Sequence, residues 1–88
     1  MSDQTYNGWT NWETWNFKLW IDNDEELYNV INRSAITLFN KKELFIKALK
    51  FTANKIVGTK LCMDLKKDDI VDINFHELAE SYLSEVKS

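Results

Sequence analysis

Along most of this chain the apolar positions recur with a helical period. Between residues 24 and 39, Leu27, Val30, Ile31, Ser34, Ala35 and Leu38 share one face, while Glu25, Asn29, Asn32 and Arg33 lie opposite. That is the spacing of an amphipathic helix. From Lys41 to Val57 the apolar arc is wider. Leu44, Phe45, Ile46, Leu49, Phe51, Ala53 and Ile56 cover more than half the circumference, leaving Glu43, Lys47, Lys50 and Asn54 as a polar stripe. This pattern predicts a central helix touched on two sides. Phe75 to Val86 repeats the simpler pattern, with Phe75, Leu78, Ala79, Tyr82 and Val86 inward.

With no proline and only Gly8 and Gly58 as glycines, helix ends must be set by caps. Thr10-Asn11-Trp12-Glu13 has the form of a capping box, in which the Thr10 hydroxyl and the Glu13 carboxylate each accept from the other's amide. It opens a helix over residues 11–21. Asp22 or Asn23 then caps the second helix, with Asp24, Glu25 and Glu26 on its positive end. Asn40 caps the third, with Glu43 at the reciprocal position, and Gly58 ends it. Asn74 caps the last. Residues 59–73 leave two options, a helical turn at 61–65 and a short extended stretch through Ile70, Val71 and Ile73. The expectation is an all-α fold, a small compact bundle of about four helices in one domain, residues 1–88, with residues 1–8 as a flexible tail. Its core should include Ile31, Leu38, Leu44, Phe51, Leu78 and Tyr82.

The first helix departs from the simple pattern. Trp12, Trp15, Leu19 and Trp20 form one apolar arc, which Phe17 and Ile21 extend. Asn16 and Glu13 fall inside it. Polar groups within an aromatic surface need partners if they are buried. Glu13 can close the capping box and Asn16 can bond a loop backbone, or both can anchor a binding partner.

Composition narrows the function classes. Four Trp, three Tyr and five Phe supply the bulk that a domain of this size needs to fold. A single cysteine, Cys62, excludes an internal disulfide, and a reducing, cytoplasmic setting is expected. The first residues lack the basic start and apolar stretch of a secretory signal, and no apolar run reaches membrane-spanning length, so no membrane role is expected. The net charge of −3 is divided unevenly: residues 1–40 carry −4, residues 41–60 carry +5 and residues 61–88 carry −4. The acidic total argues against general nucleic-acid binding, while the lysine-rich centre keeps that alternative open.

The segment Tyr6-Asn7-Gly8-Trp9-Thr10-Asn11-Trp12-Glu13-Thr14-Trp15-Asn16, continuing through Leu19-Trp20-Ile21-Asp22-Asn23-Asp24-Glu25, resembles a family of short uncharacterised proteins common in bacteriophages and mobile elements. Members read asparagine-glycine-tryptophan-threonine-asparagine, an aromatic, then glutamate-threonine-tryptophan-asparagine. The stretch Asp72-Ile73-Asn74-Phe75-His76-Glu77-Leu78-Ala79-Glu80 is similar to that family's tail. The resemblance implies a phage-like origin and no particular chemistry.

Reactive groups are scarce. Cys62 and His76 alone cannot make a zinc site, which takes about four such ligands. Counted from Asp22, a calcium loop would need glycine at position 27 and glutamate at position 33, where Leu27 and Arg33 stand. Cys62 shows no adjacent base and orienting group, and two isolated glycines cannot build a phosphate loop. The chain is therefore expected to be no enzyme and to hold neither metal nor cofactor. Protein binding is the leading expectation, with a host protein as partner and Trp9, Glu13, Asn16, Trp20, Asp22, Asp24, Glu25 and Glu26 as contact residues. Inhibition of a host defence system, of the anti-CRISPR or anti-restriction kind, would suit an acidic face set against a basic groove. The alternative is single-stranded nucleic-acid binding through exposed tryptophans and Lys41, Lys42, Lys47 and Lys50.

Overall fold

A computed structural model describes residues 8–87. Among them are four α-helices: α1 (Trp12–Asp22), α2 (Glu25–Thr37), α3 (Lys42–Ile56) and α4 (Phe75–Lys87), with a 3-10 helix (Lys67–Asp72) between the last two. The fold is the all-α bundle that the periodicity predicts. Of the expected tail, residues 1–7 lie outside the described residues. Helices α2 and α3 each pack on α4 and on each other, α1 packs on α2 and α4, and the 3-10 helix bridges α1 and α3.

The helix starts differ from expectation in three places. Asn11, not Thr10, caps α1: its Oδ1 accepts from the Thr14 amide at 2.9 Å. Glu13 closes no capping box, because the Thr10 amide donates instead to Glu77 Oε1 at 3.0 Å, across to α4. Asp24 rather than Asp22 or Asn23 caps α2, accepting from the Leu27 amide. Helix α3 begins after Lys41 with no side-chain cap, since Asn40 is still in the preceding turn. The last cap is as predicted, with Asn74 Oδ1 accepting from the Glu77 amide at 3.0 Å.

The core draws on every helix. Phe17 and Ile21 of α1 meet Ile31 and Ala35 of α2, Phe45, Leu49 and Ala53 of α3, and Leu78 and Tyr82 of α4. Phe17 meets Phe75, and Phe45 meets Tyr82, edge to face at centroid distances of 6.1 and 6.4 Å, a favoured aromatic geometry. Leu44 and Phe51, expected in the core, are exposed, Phe51 by 63%. The apolar arc of α3 is wider than the surface its neighbours cover, and these two residues fall outside the covered part. Residues 59–73 form neither a helical turn at 61–65 nor an extended stretch at 70–73. Gly58, at φ +87°, lets the chain fold back so that its amide donates to the Cys62 carbonyl. This drops Cys62 and Leu65 into the core before the 3-10 helix begins.

Stability should follow this placement. Phe17→Ala is expected to cost about 3–5 kcal/mol through lost burial and the cavity left behind. Phe51→Ala should stay within about 0.5 kcal/mol of wild type. Urea melts of the two variants check the assignment, which is wrong if their order is reversed.

Candidate functional site

Helix α1 buries an unusual set of residues. Thr14, Phe17 and Ile21, spaced three and four apart, face the core, and Asn16, on the side of the helix next to Trp12, is buried beneath Asp64, whereas Trp12 and Leu19 are 36% and 39% exposed. Burying a threonine and an asparagine while a tryptophan and a leucine keep more than a third of their surface in water departs from the usual preference. The reason lies in the polar partners. Thr14 Oγ donates to Asn11 Oδ1 at 2.6 Å and accepts from the Asn74 amide at 2.8 Å. Asn16 donates through Nδ2 to Asp64 Oδ2, which also accepts from the Trp20 indole, both at 3.2 Å. Asn16 Oδ1 is buried without a hydrogen-bond partner.

The expected contact residues thus divide. Asn16, only 2% exposed, and Trp20 are joined on Asp64. Asp22 accepts from Lys18 and, at 2.9 Å, from the Tyr82 hydroxyl. Asp24 is spent as a cap. Glu13 turns toward the 3-10 helix, where one oxygen each from Glu13, Asp69 and Asp72 lies within 4.8 Å of the others. The positive end of the α1 dipole offsets part of that crowding, and Asp69 also accepts from the Lys66 amide. Sequence reasoning missed this gathering because nothing local links Glu13 to residues so distant in the chain. Glu25 and Glu26 are exposed. Trp9, half-buried, shares with Trp15, Lys18, Leu19 and Asp22 a shallow groove of about 190 Å³. Of the lysines, Lys42 pairs with Glu80 at 2.9 Å and holds that carboxyl below its usual range, while Lys41, Lys47 and Lys50 are exposed.

A scan against known families matches residues 2–87 to DUF7249, described as a family of unknown function. The chain belongs to the DUF7249 family. No curated protein and no solved structure matches it significantly. In this DUF7249 chain the tryptophan-rich N-terminal motif and the segment from Asp72 to Glu77 meet in space. Asn11 Nδ2 donates to the Asp72 carbonyl at 2.7 Å, Asn74 Nδ2 to Thr10 Oγ at 3.2 Å, and the Thr10 amide to Glu77. The polar half of the motif therefore joins the starts of two helices, and the exposed part of its apolar half is available for contact. Among the described residues no helix is long and apolar enough to cross a membrane.

Cys62 is fully buried. Burial, and secondarily the negative charge of Asp64, push its thiol up to about 11, which suits a packing residue and opposes a nucleophile. Burial and then Asp22 likewise push the Tyr82 hydroxyl far up. Two outcomes follow. A thiol raised from 9.0 to about 11 in the folded state contributes stability that is whole below pH 9 and is lost as pH rises toward 11. Wild type should therefore lose roughly 2–3 kcal/mol more than Cys62→Ala over that window, read from urea melts at both ends; parallel losses would refute it. At Asn16, the leucine variant removes an unpartnered acceptor along with one hydrogen bond and should change stability by about 1 kcal/mol or less. Asn16→Asp places a second carboxylate against Asp64 and should cost about 3–5 kcal/mol at pH 7. That cost should shrink as acid protonates the pair, and equal melts for the two variants would show that Asn16 is not held as described.

Proposed function

We propose that this DUF7249 protein is a non-catalytic binding module that docks on a basic partner protein through the outer face of α1. The observation that carries this reading is the outer face of α1. Trp12 and Leu19, seven residues apart on one side, are exposed, although Thr14 and Asn16 occupy the interior. Exposed tryptophan is a common energetic anchor at protein interfaces, where a few such residues hold most of the affinity. The groove beside Leu19 offers a place for a partner side chain. Asp22 lines that groove, Glu25 and Glu26 are exposed at the start of α2, and the first forty residues carry −4 in all. An acidic, aromatic surface of this kind complements a positively charged one.

A phage-like origin, implied by the motif's resemblance, makes a host defence protein the partner of choice. The basic nucleic-acid groove of a nuclease fits the charge. The module would act by stoichiometric occupation of that groove in the bacterial cytoplasm, as an inhibitor of the anti-CRISPR or anti-restriction kind.

Affinity capture from host lysate tests this reading through variants that spare the core. Wild type should retain a basic protein. Trp12→Ala should lower its affinity by about 2 kcal/mol or more, the range of an interface anchor. Glu25→Lys with Glu26→Lys should act chiefly by slowing association, and the wild-type complex should weaken as salt rises. Asp22 and Asp24 are unsuitable for this test, because their carboxylates hold Tyr82 and the α2 start. Capture of nothing, or capture that both α1-side variants leave unchanged, overturns the proposal.

A further inference from the structure

A second surface lies between α3, the 3-10 helix and the first turn of α4. It encloses a groove of about 480 Å³, walled by Ile70, Val71, Ile73 and Phe75, with Lys50 and His76 adding polar atoms. The volume falls in the range of about 300–1,000 Å³ usual for ligand pockets. Val71 is 85% exposed and Ile70 half-buried, so this part of the apolar wall stands open to water, while Ile73 and Phe75 are core residues that present only their edges to the groove.

The adjoining face of α3 is basic and aromatic. Lys47, Lys50, Phe51 and Lys55 occupy one arc of the helix, all exposed. Lys55 Nζ lies 5.2 Å from the centre of the Phe51 ring. Among the described residues the ion pairs are those of Lys18 and Lys42, so these three lysines carry their charge with no acidic partner.

The acids nearby are mostly turned elsewhere. Asp69 and Asp72 gather with Glu13 on the α1 side of the 3-10 helix. Glu77 bonds the Thr10 amide, Asp68 does not line the groove, and Glu43 is the one acid on the lysine stripe of α3, exposed one turn before Lys47. The 3-10 helix thus turns Asp69 and Asp72 toward Glu13 and sets Ile70 and Val71 in the groove wall, with Asp68 exposed one turn before Val71. Helix α4 begins at the groove, adding the positive end of its dipole.

We infer that this groove binds single-stranded nucleic acid, with one base against Ile70 and Val71, a neighbouring base on Phe51, and phosphates on Lys47, Lys50 and Lys55. Charge complementarity and ring stacking together select this occupant. Cationic side chains that track a backbone, with an aromatic between them and an apolar slot alongside, are the elements of sequence-tolerant strand binding. A small anion would leave Phe51 and the outlying lysines without a role, and an acidic peptide would leave the ring and the slot unused. The site goes beyond the α1 reading and stands or falls separately, since it shares no residue with that surface. The net charge of −3 makes the binding weak and strongly salt-dependent. With about three phosphates neutralised, the logarithm of affinity should fall with a slope near −2 against that of salt concentration.

Fluorescence anisotropy of a labelled single-stranded oligonucleotide of about ten residues provides the test, with the full chain and at low salt. Binding should weaken roughly 15- to 20-fold between about 50 and 200 mM salt. Phe51→Ala should weaken it about 5- to 100-fold, the equivalent of one lost stacking contact. Lys47→Glu with Lys50→Glu should weaken it more than about tenfold. These positions are exposed, so circular dichroism should show both variants folded; should Phe51→Ala unfold, the lysine pair decides. Amide chemical-shift mapping should move Phe51, Val71 and His76 and leave Trp12 and Leu19 in place. The inference is overturned if the wild type does not bind, if neither variant weakens binding, or if the shifts fall on α1. It is equally overturned if a mononucleotide, a duplex or an oligoglutamate binds as tightly as the strand.

Discussion

The arrangement of the bundle depends on how the starts of α1 and α4 hold each other. A helix start exposes amides that need acceptors, and here the acceptors are shared between two helices far apart in sequence. Asn11 caps α1 and reaches the Asp72 carbonyl just before α4, while the hydroxyl of Thr14 on α1 receives the Asn74 amide. In return Asn74 bonds Thr10, and Glu77, from the first turn of α4, accepts the Thr10 amide. Because Thr14 is completely buried, losing its hydroxyl would leave an amide without a partner in the interior, which is costly. The network fixes the rotation of α1 about its axis. With Thr14 turned inward, Phe17 and Ile21 follow it into the core and Trp12 and Leu19 must face out.

The other end of α1 is fixed by charge. Lys18 pairs with Asp22 and Glu85 and lies 4.5 Å from the centre of the Tyr82 ring, whose hydroxyl donates to Asp22. The Lys18 side chain is only 14% exposed, while its partners Asp22 and Glu85 keep 35% and 43% of their side-chain surface in water, so the contacts position the two helices more than they add stability. Two carboxylates, one cation and one phenol satisfy one another and join α1 to α4 a second time. The acids at this end therefore serve the fold, and the surface charge of the N-terminal half falls chiefly to Glu25 and Glu26.

Charge is also sorted across the molecule. The 3-10 helix sends Asp69 and Asp72 toward Glu13 and leaves its apolar residues beside the basic face of α3. Two dissimilar surfaces result, one aromatic and bordered by acids, the other basic with an apolar slot. The net charge conceals this division, because the acidic and basic segments nearly cancel in the sum.

The sequence alone determined the helices. Periodicity in α2 and α4, and the caps at Asn74 and Gly58, are local properties, legible because a helix is built from contacts three and four residues apart. The choice of cap at α1 was not legible. Thr10 and Asn11 both suit the role, and Asn11 takes it because Glu77, rather than Glu13, accepts the Thr10 amide. Periodicity likewise grouped Trp12, Trp15, Leu19 and Trp20 as one apolar arc but could not say which way the arc faces. That orientation depends on where Asn74 and Asp64 stand, and they arrive from some fifty to sixty residues away. The wide arc of α3 failed as a guide to burial for a related reason. Apolar character shows what a helix can bury, and only the packing of its neighbours decides that Phe45 and Leu49 are covered while Leu44 and Phe51 meet water.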